Sequence, residues 1–173
     1  MPKSIRFVEL SHQNETNDMR DTSTFAELFD AAQGTSIRYQ GRELHATYDV
    51  AVSQGQTITL RFLRSTHRPV QGVGIACHNC QIAIGETEAK NIALWTDTAP
   101  ADVVLTITKA KSGARVTFVN QWRDEKFGST MYRLNNAAME ILPGPNGLLD
   151  FRCSDGWGAA DFNDLIFQLQ LGE

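Results

Sequence analysis

Cysteine is scarce in this chain: Cys77, Cys80 and Cys153 are the only three among 173 residues. An odd, small set is not the paired disulfide framework of a small secreted domain and fits a reducing compartment. No stretch approaches the roughly 20 consecutive apolar residues that a membrane-spanning helix needs, and the opening Met1-Pro2-Lys3-Ser4-Ile5-Arg6-Phe7 lacks the apolar run of a signal peptide. The expectation is a protein without a membrane span, cytoplasmic or exported without a signal peptide. Positive charge is also in short supply, 16 Lys and Arg against 20 Asp and Glu for a net charge of -4. A nucleic-acid binder uses a basic stripe to displace counterions from phosphates, so nucleic acid is not the expected partner. Catalytic signatures are missing as well. His12, His45, His67 and His78 are scattered, no G-x-S-x-G or H-E-x-x-H occurs, and carboxylate neighbours such as Asp124 and Glu125 read as solvated loop charges rather than a hydrolase pair. Binding, not catalysis, is the expected activity.

What is present is the composition of a folded domain, 42% hydrophobic and 21% charged, in a chain long enough to bury its own core as a single unit over 1–173. Residues 1–24 read as a polar arm. Thr24 with Glu27 three positions on forms a capping box, and Phe25, Leu28, Phe29 and Ala32 then share one face, which predicts a helix over 25–33 with Gly34 as its left-handed stop. That face is expected to close one end of the core. From Ser36 the pattern changes to period two, with candidate strands at 37–40, 44–52, 57–64, 72–76, 81–84, 92–95, 103–109, 115–120, 131–134, 139–142, 148–152 and 165–171. In the run 57–64, Ile58, Leu60 and Phe62 alternate with Thr57, Thr59 and Arg61, apolar side inward. Turn residues recur at Ser53-Gln54-Gly55, Lys111-Ser112-Gly113 and 143–147, and there is no internal repeat. The predicted class is all-β, a β-sandwich of jelly-roll or Greek-key-like kind over 36–171, with one short N-terminal helix.

Cys77-His78-Asn79-Cys80 is a C-x-x-C. With Cys153 and a histidine it could build a zinc site, but the second pair that makes such sites recognisable is missing. A thioredoxin-like redox pair would open a helix. Flanked by two predicted strands, the segment reads as a tight connection carrying turn or core cysteines. Trp95, Trp122 and Trp157 each stand beside polar residues, a mixture suited to stacking on sugar rings as well as to core packing. Trp157, between two glycines, is the one expected to be exposed.

The most informative segment is 153–164, Cys-Ser-Asp-Gly-Trp-Gly-Ala-Ala-Asp-Phe-Asn-Asp. Asp155, Asp161, Asn163 and Asp164 place four oxygen-bearing side chains on a glycine-rich loop. Calcium takes six to eight oxygen ligands on a loop that can wrap, whereas zinc or copper would want His or Cys there. The alternative is that Asp and Asn here are ordinary turn formers satisfying their own backbone. Asp155-Gly156, then Asp161-Phe162-Asn163-Asp164 and a hydrophobic last strand, resembles the C-terminal calcium loop of the bacterial calcium-mediated lectins that bind fucose and mannose, and of related Asp-aromatic-Asn-Asp β-sandwich domains. The resemblance implies a β-sandwich in which adjacent calcium ions coordinate sugar hydroxyls, hence calcium as cofactor and carbohydrate as ligand, with Trp157 near it. It covers only 154–173 and departs from the family at Ser154, where a Glu is usual, at Ala159 and Ala160, where another acid stands, and at Glu173, which follows Gly172. The rival expectation is a protein-interaction or assembly domain whose acidic loop is a structural turn or a structural calcium clip. Exposed sheet edges leave room for a homodimer.

Overall fold

The helix is built as its capping residues dictate. In the computed structural model, which describes residues 22–172, α1 (Phe25–Ala32) starts at Thr24, whose hydroxyl accepts from the Glu27 backbone N–H at 3.3 Å while the Glu27 carboxylate accepts from the Thr24 N–H at 2.7 Å. Nearly all of the polar arm predicted over 1–24 lies outside the described residues. The helix stops one residue early. Gln33 at φ 51, not Gly34, takes the left-handed position. Phe25 and Phe29 then bury against Ile37, Leu44, Ala46, Ala138 and Phe162, so α1 seals a small second core beside the main one.

Strand accounts for 58% of the described residues and helix for 5%. The strands are β1 (Ser36–Tyr39), β2 (Arg42–His45), β3 (Tyr48–Ala51), β4 (Thr57–Ser65), β5 (Gln71–Ile84), β6 (Thr87–Ala89), β7 (Asn91–Trp95), β8 (Asp102–Arg123), β9 (Thr130–Met131), β10 (Ala138–Pro143), β11 (Leu148–Ser154) and β12 (Leu165–Leu171). All pairings are antiparallel. The main path runs β1-β2-β10-β11-β12-β4-β8-β5-β6, with β3 and β9 on β8 and β7 on β5. Hairpins account for β10-β11-β12; the non-local pairs β2-β10 and β12-β4 are long returns of the Greek-key sort.

Two of these strands are far longer than usual, and both bend. β8 has 22 residues and β5 has 14, where most strands have 3–10. Along β8 the buried positions are Val103, Leu105 and Ile107, then Ala114, Val116 and Phe118, a change from odd to even numbers. β5 changes phase at the matching place: Val73 and Ile75 are buried before it and Cys80 and Ile82 after it. At this point the two strands are unequal in length, β5 advancing two residues from His78 to Cys80 where β8 advances five from Ala110 to Arg115, and the register shifts again between Gln81 and Ile82. Asn79 at φ 55 and Gly113 at φ 74 take the left-handed conformations, and the register jumps from His78 opposite Arg115 to Cys80 opposite Ala110.

These bends fold one hydrogen-bonded sheet over on itself, and a sandwich-like core fills the space. The first part of β8 pairs with β4 and the later part with β3. Side chains from both sides meet: Tyr48 of β3 meets Phe151 of β11 edge-on at 5.6 Å, and Phe151 stacks on Phe167 of β12 at 4.4 Å. The expected break at 111–113 and the expected connection at 77–80 are therefore both corrected, since each lies inside a continuous strand. In the opposite sense, the strand expected over 44–52 is divided between β2 and β3, which belong to different parts of the sheet. Among the described residues no helix is long and apolar enough to cross a membrane.

Candidate functional site

The acidic loop joins β11 to β12 at the end of the sandwich where β8 also terminates. Its entry is fixed by buried amides: Asn120, 1% exposed, donates from Nδ2 to the Ser154 carbonyl at 2.9 Å. Asp155 follows at only 2% exposure. Its Oδ2 accepts from Gln71 Nε2 and its Oδ1 from the Trp157 backbone N–H, both at 2.8 Å. Gly156 passes so close to Trp122 that a Cβ there would lie 2.6 Å from Trp122 Cζ2, which is why glycine stands at this place.

The exit is fixed by an aromatic. Phe162 is buried although its φ of 58 is a strained choice for a bulky side chain. Its ring lies 6.1 Å from that of Phe25 and under the Arg42 guanidinium at 4.3 Å, so the second core holds the loop down. Asp164 then opens β12, its backbone N–H donating to the Cys153 carbonyl and its carbonyl accepting from the Thr66 N–H.

The predicted site residues separate into two groups. Asp164 Oδ2 accepts from the Asp155 backbone N–H at 2.9 Å, which brings these two acids together across the loop. Asp161 and Asn163 form their own small turn, Asp161 Oδ1 accepting from the Asn163 N–H at 2.9 Å. Burial pushes the Asp164 carboxyl up to about 6, and the negative charges of Asp155 and Asp161 push the same way, against the Asp155 N–H. Asp155 is likewise raised, mainly by burial, with the Trp157 and Gln71 hydrogen bonds opposing. Beneath them the Cys153 thiol, fully enclosed, is held protonated. None of the ion pairs among the described residues reaches Asp155, Asp161 or Asp164. The chemistry of the donors suits a hard cation, yet among the described residues no three His, Cys, Asp or Glu side chains are gathered as a metal-binding group.

Three residues from other segments, Gln71, Asn135 and Asn136, also belong to this site. Gln71 is fully buried, and while its Nε2 donates to Asp155, its Oε1 has no partner among the described residues. The loop at 132–137 lies alongside, Asn135 Nδ2 donating to the Gly156 carbonyl at 3.1 Å and Asn136 Nδ2 to the Gly158 carbonyl at 3.3 Å. Of the three tryptophans, Trp122 is core, Trp95 lies under the Arg123 guanidinium at 4.3 Å, and Trp157 is 57% exposed at the loop's tip. Phe127, Tyr132 and Leu134 on the neighbouring segment are exposed too. Exposure of Trp157 agrees with the sequence reading; the role of Gln71 had no local signal.

Compared with protein-family models, with curated proteins and with solved structures, the chain matches none of them.

Proposed function

We propose that this protein is a β-sandwich binding module whose ligand end is the loop face around 155–164, that calcium is held there by Asp155, Asp161, Asn163 and Asp164, and that a carbohydrate is taken up against Trp157. The observation that carries this reading is a set of oxygens lacking a positive partner among the described residues: the raised carboxyls of Asp155 and Asp164, adjacent and without an ion pair there, and the buried Gln71 Oε1, which belongs to the amide bonded to Asp155. A divalent cation is the kind of group that satisfies carboxylate and amide oxygens together. Asp161 would have to turn out of its local turn to join. The exposed indole of Trp157, two residues from Asp155, offers the flat apolar face on which sugar rings stack.

A second reading is supported by the hydrogen bonds themselves. Asp155, Asp161 and Asp164 each already accept from a loop N–H, as a purely structural turn requires, and the exposed Phe127, Tyr132 and Trp157 would then face a protein partner. A thermal melt of metal-stripped protein with and without millimolar calcium separates the two. A ligand specific to the folded state adds about 2.7 kcal/mol at a hundredfold excess over Kd. A calcium-dependent rise that Asp155→Ala and Asp164→Ala abolish, followed by chelator-sensitive glycan binding lost in Trp157→Ala, supports the first reading. Absence of any calcium shift removes it in favour of the second.

A further inference from the structure

At the opposite feature of the fold, the bend of β5, two thiols share one face. In an unbroken strand residues three apart point to opposite sides. The left-handed Asn79 at the register shift reverses the phase, so Cys77 continues the inward series of Val73 and Ile75 while Cys80 begins the inward series of Ile82. Both cysteines line the same cavity. Cys80, 7% exposed, also donates to the Arg115 carbonyl at 3.3 Å, whereas Cys77 is half-buried. The bend is clamped by Asn79 Nδ2, which donates to the Ser112 carbonyl at 3.3 Å.

Beside this pair is a cavity of about 300 Å³ lined by Cys77, Asn79, Cys80, Lys90, Lys109 and Lys111. Among the described residues Glu88 lies 3.9 Å from Lys109, and neither Lys90 nor Lys111 enters an ion pair. The cavity is thus a positively charged recess with a dithiol in its wall. A cation is disfavoured here by the lysines, and a small anion is favoured. We propose that Cys77 and Cys80 are a thiol–disulfide exchange site for small anionic disulfides, with Lys90, Lys109 and Lys111 drawing the carboxylates of the partner into the recess.

The chemistry proceeds in two displacements. Cys77 gives its proton to solvent and its sulfur attacks one sulfur of the partner disulfide; the partner's S–S bond breaks and one thiolate leaves, to be protonated. Cys80 then loses its proton and attacks the Cys77 sulfur, expelling the second thiolate. Two protein thiols are oxidised to one disulfide and one partner disulfide is reduced to two thiols; excess partner thiol reverses both steps. Burial and the adjoining Cys80 push the Cys77 thiol up to about 12, so exchange at neutral pH is slow and the pair stays reduced against casual reagents.

The test exposes the whole protein to glutathione disulfide, which is anionic, and to 2-hydroxyethyl disulfide, which is neutral, and follows the loss of two hydrogens by mass spectrometry after alkylating the remaining thiols. Each rate is divided by that of a free thiol with the same reagent. The expected result is a cross-link mapped to Cys77 and Cys80, formed about tenfold faster with the anionic reagent at low salt. High salt removes that preference. So does combining Lys90→Gln, Lys109→Gln and Lys111→Gln, all exposed positions. Cys80→Ser should stop the reaction at a mixed disulfide on Cys77. Equal normalised rates for the two reagents, or a pair that stays fully alkylatable in both, overturns the proposal.

Discussion

Replacing Asp164 with asparagine should make the metal-free protein more stable at neutral pH. Its carboxyl titrates at about 6 instead of an ordinary 3.8, because it is half-buried and faces Asp155 and Asp161. The native state therefore binds this proton more tightly than the unfolded chain. By linkage, stability falls as pH rises from about 4 to about 6 and the full penalty stands above that. Unscreened, a rise of that size corresponds to about 3 kcal/mol. Asp164 is half open to water, and screening reduces the figure to about 1–2 kcal/mol. Asparagine retains an oxygen to accept from the Asp155 N–H, bonded at 2.9 Å in the native loop, while removing the charge.

Other groups titrate in the same window. Asp155 is raised by burial, and His45 is held below its ordinary 6.5 by burial, with Glu43 opposing. A depressed histidine contributes stability that is lost as pH falls, so its effect runs against that of Asp164. The diagnostic quantity is the difference between Asp164→Asn and the native protein in urea melts at each pH. It should favour the variant by about 1–2 kcal/mol at pH 7 and shrink toward zero near pH 4. Saturating calcium should reverse the order, since only the native protein keeps both carboxylates. A variant less stable than the native protein, by an amount that does not change with pH, would refute the idea that Asp164 is a strained charge.

Two further substitutions test how the loop is anchored. Gly156→Ala places a Cβ 2.6 Å from Trp122 Cζ2 and 2.9 Å from the Leu134 carbonyl, and with Trp122 buried the overpacking should cost about 1–3 kcal/mol in denaturant melts; a negligible cost would mean that the loop yields freely. Phe162→Ala empties the contact with Phe25 and Arg42 and should cost about 3 kcal/mol, with the amides of 155–164 exchanging faster while those of β4 and β12 keep their protection.

The sequence carries the local parts of this architecture openly and the non-local parts hardly at all. The capping box at Thr24 and the alternation that buries Ile58 and Leu60 are decided by neighbours a few residues apart, and both are legible. So is β12, whose apolar alternation and preceding acidic turn mark its start at Leu165. The acidic loop is legible as a cluster of oxygens, but its electrostatics are not, because they depend on Gln71, which lies 84 positions away. Phe162 is another such case: the sequence presents an aromatic between acids, and only the packing of α1 explains why it is needed.

The bends of β5 and β8 are misread for a sharper physical reason. Asn79 and Gly113 are left-handed residues, and a left-handed residue serves a reversing turn and a bulge equally well. What separates the two is whether the strand on the far side continues with the same partner, as β5 does along β8. This makes the length of the segment, not its identity, the critical variable. Deleting Asn79 should turn Cys80, Ile82 and the remainder of β5 toward solvent while β8 keeps its own change of phase, so the two strands lose their common core and the protein fails to fold cooperatively. Asn79→Gly keeps the count and suits the φ of 55, at the loss of the hydrogen bond to Ser112, so these effects nearly cancel and stability should change by less than about 1 kcal/mol. Comparing the two by chemical denaturation decides between bulge and turn. A deletion tolerated as well as the glycine would mean that 77–80 is a connection whose length is free, and neither the bent sheet nor the shared face of Cys77 and Cys80 would survive that result.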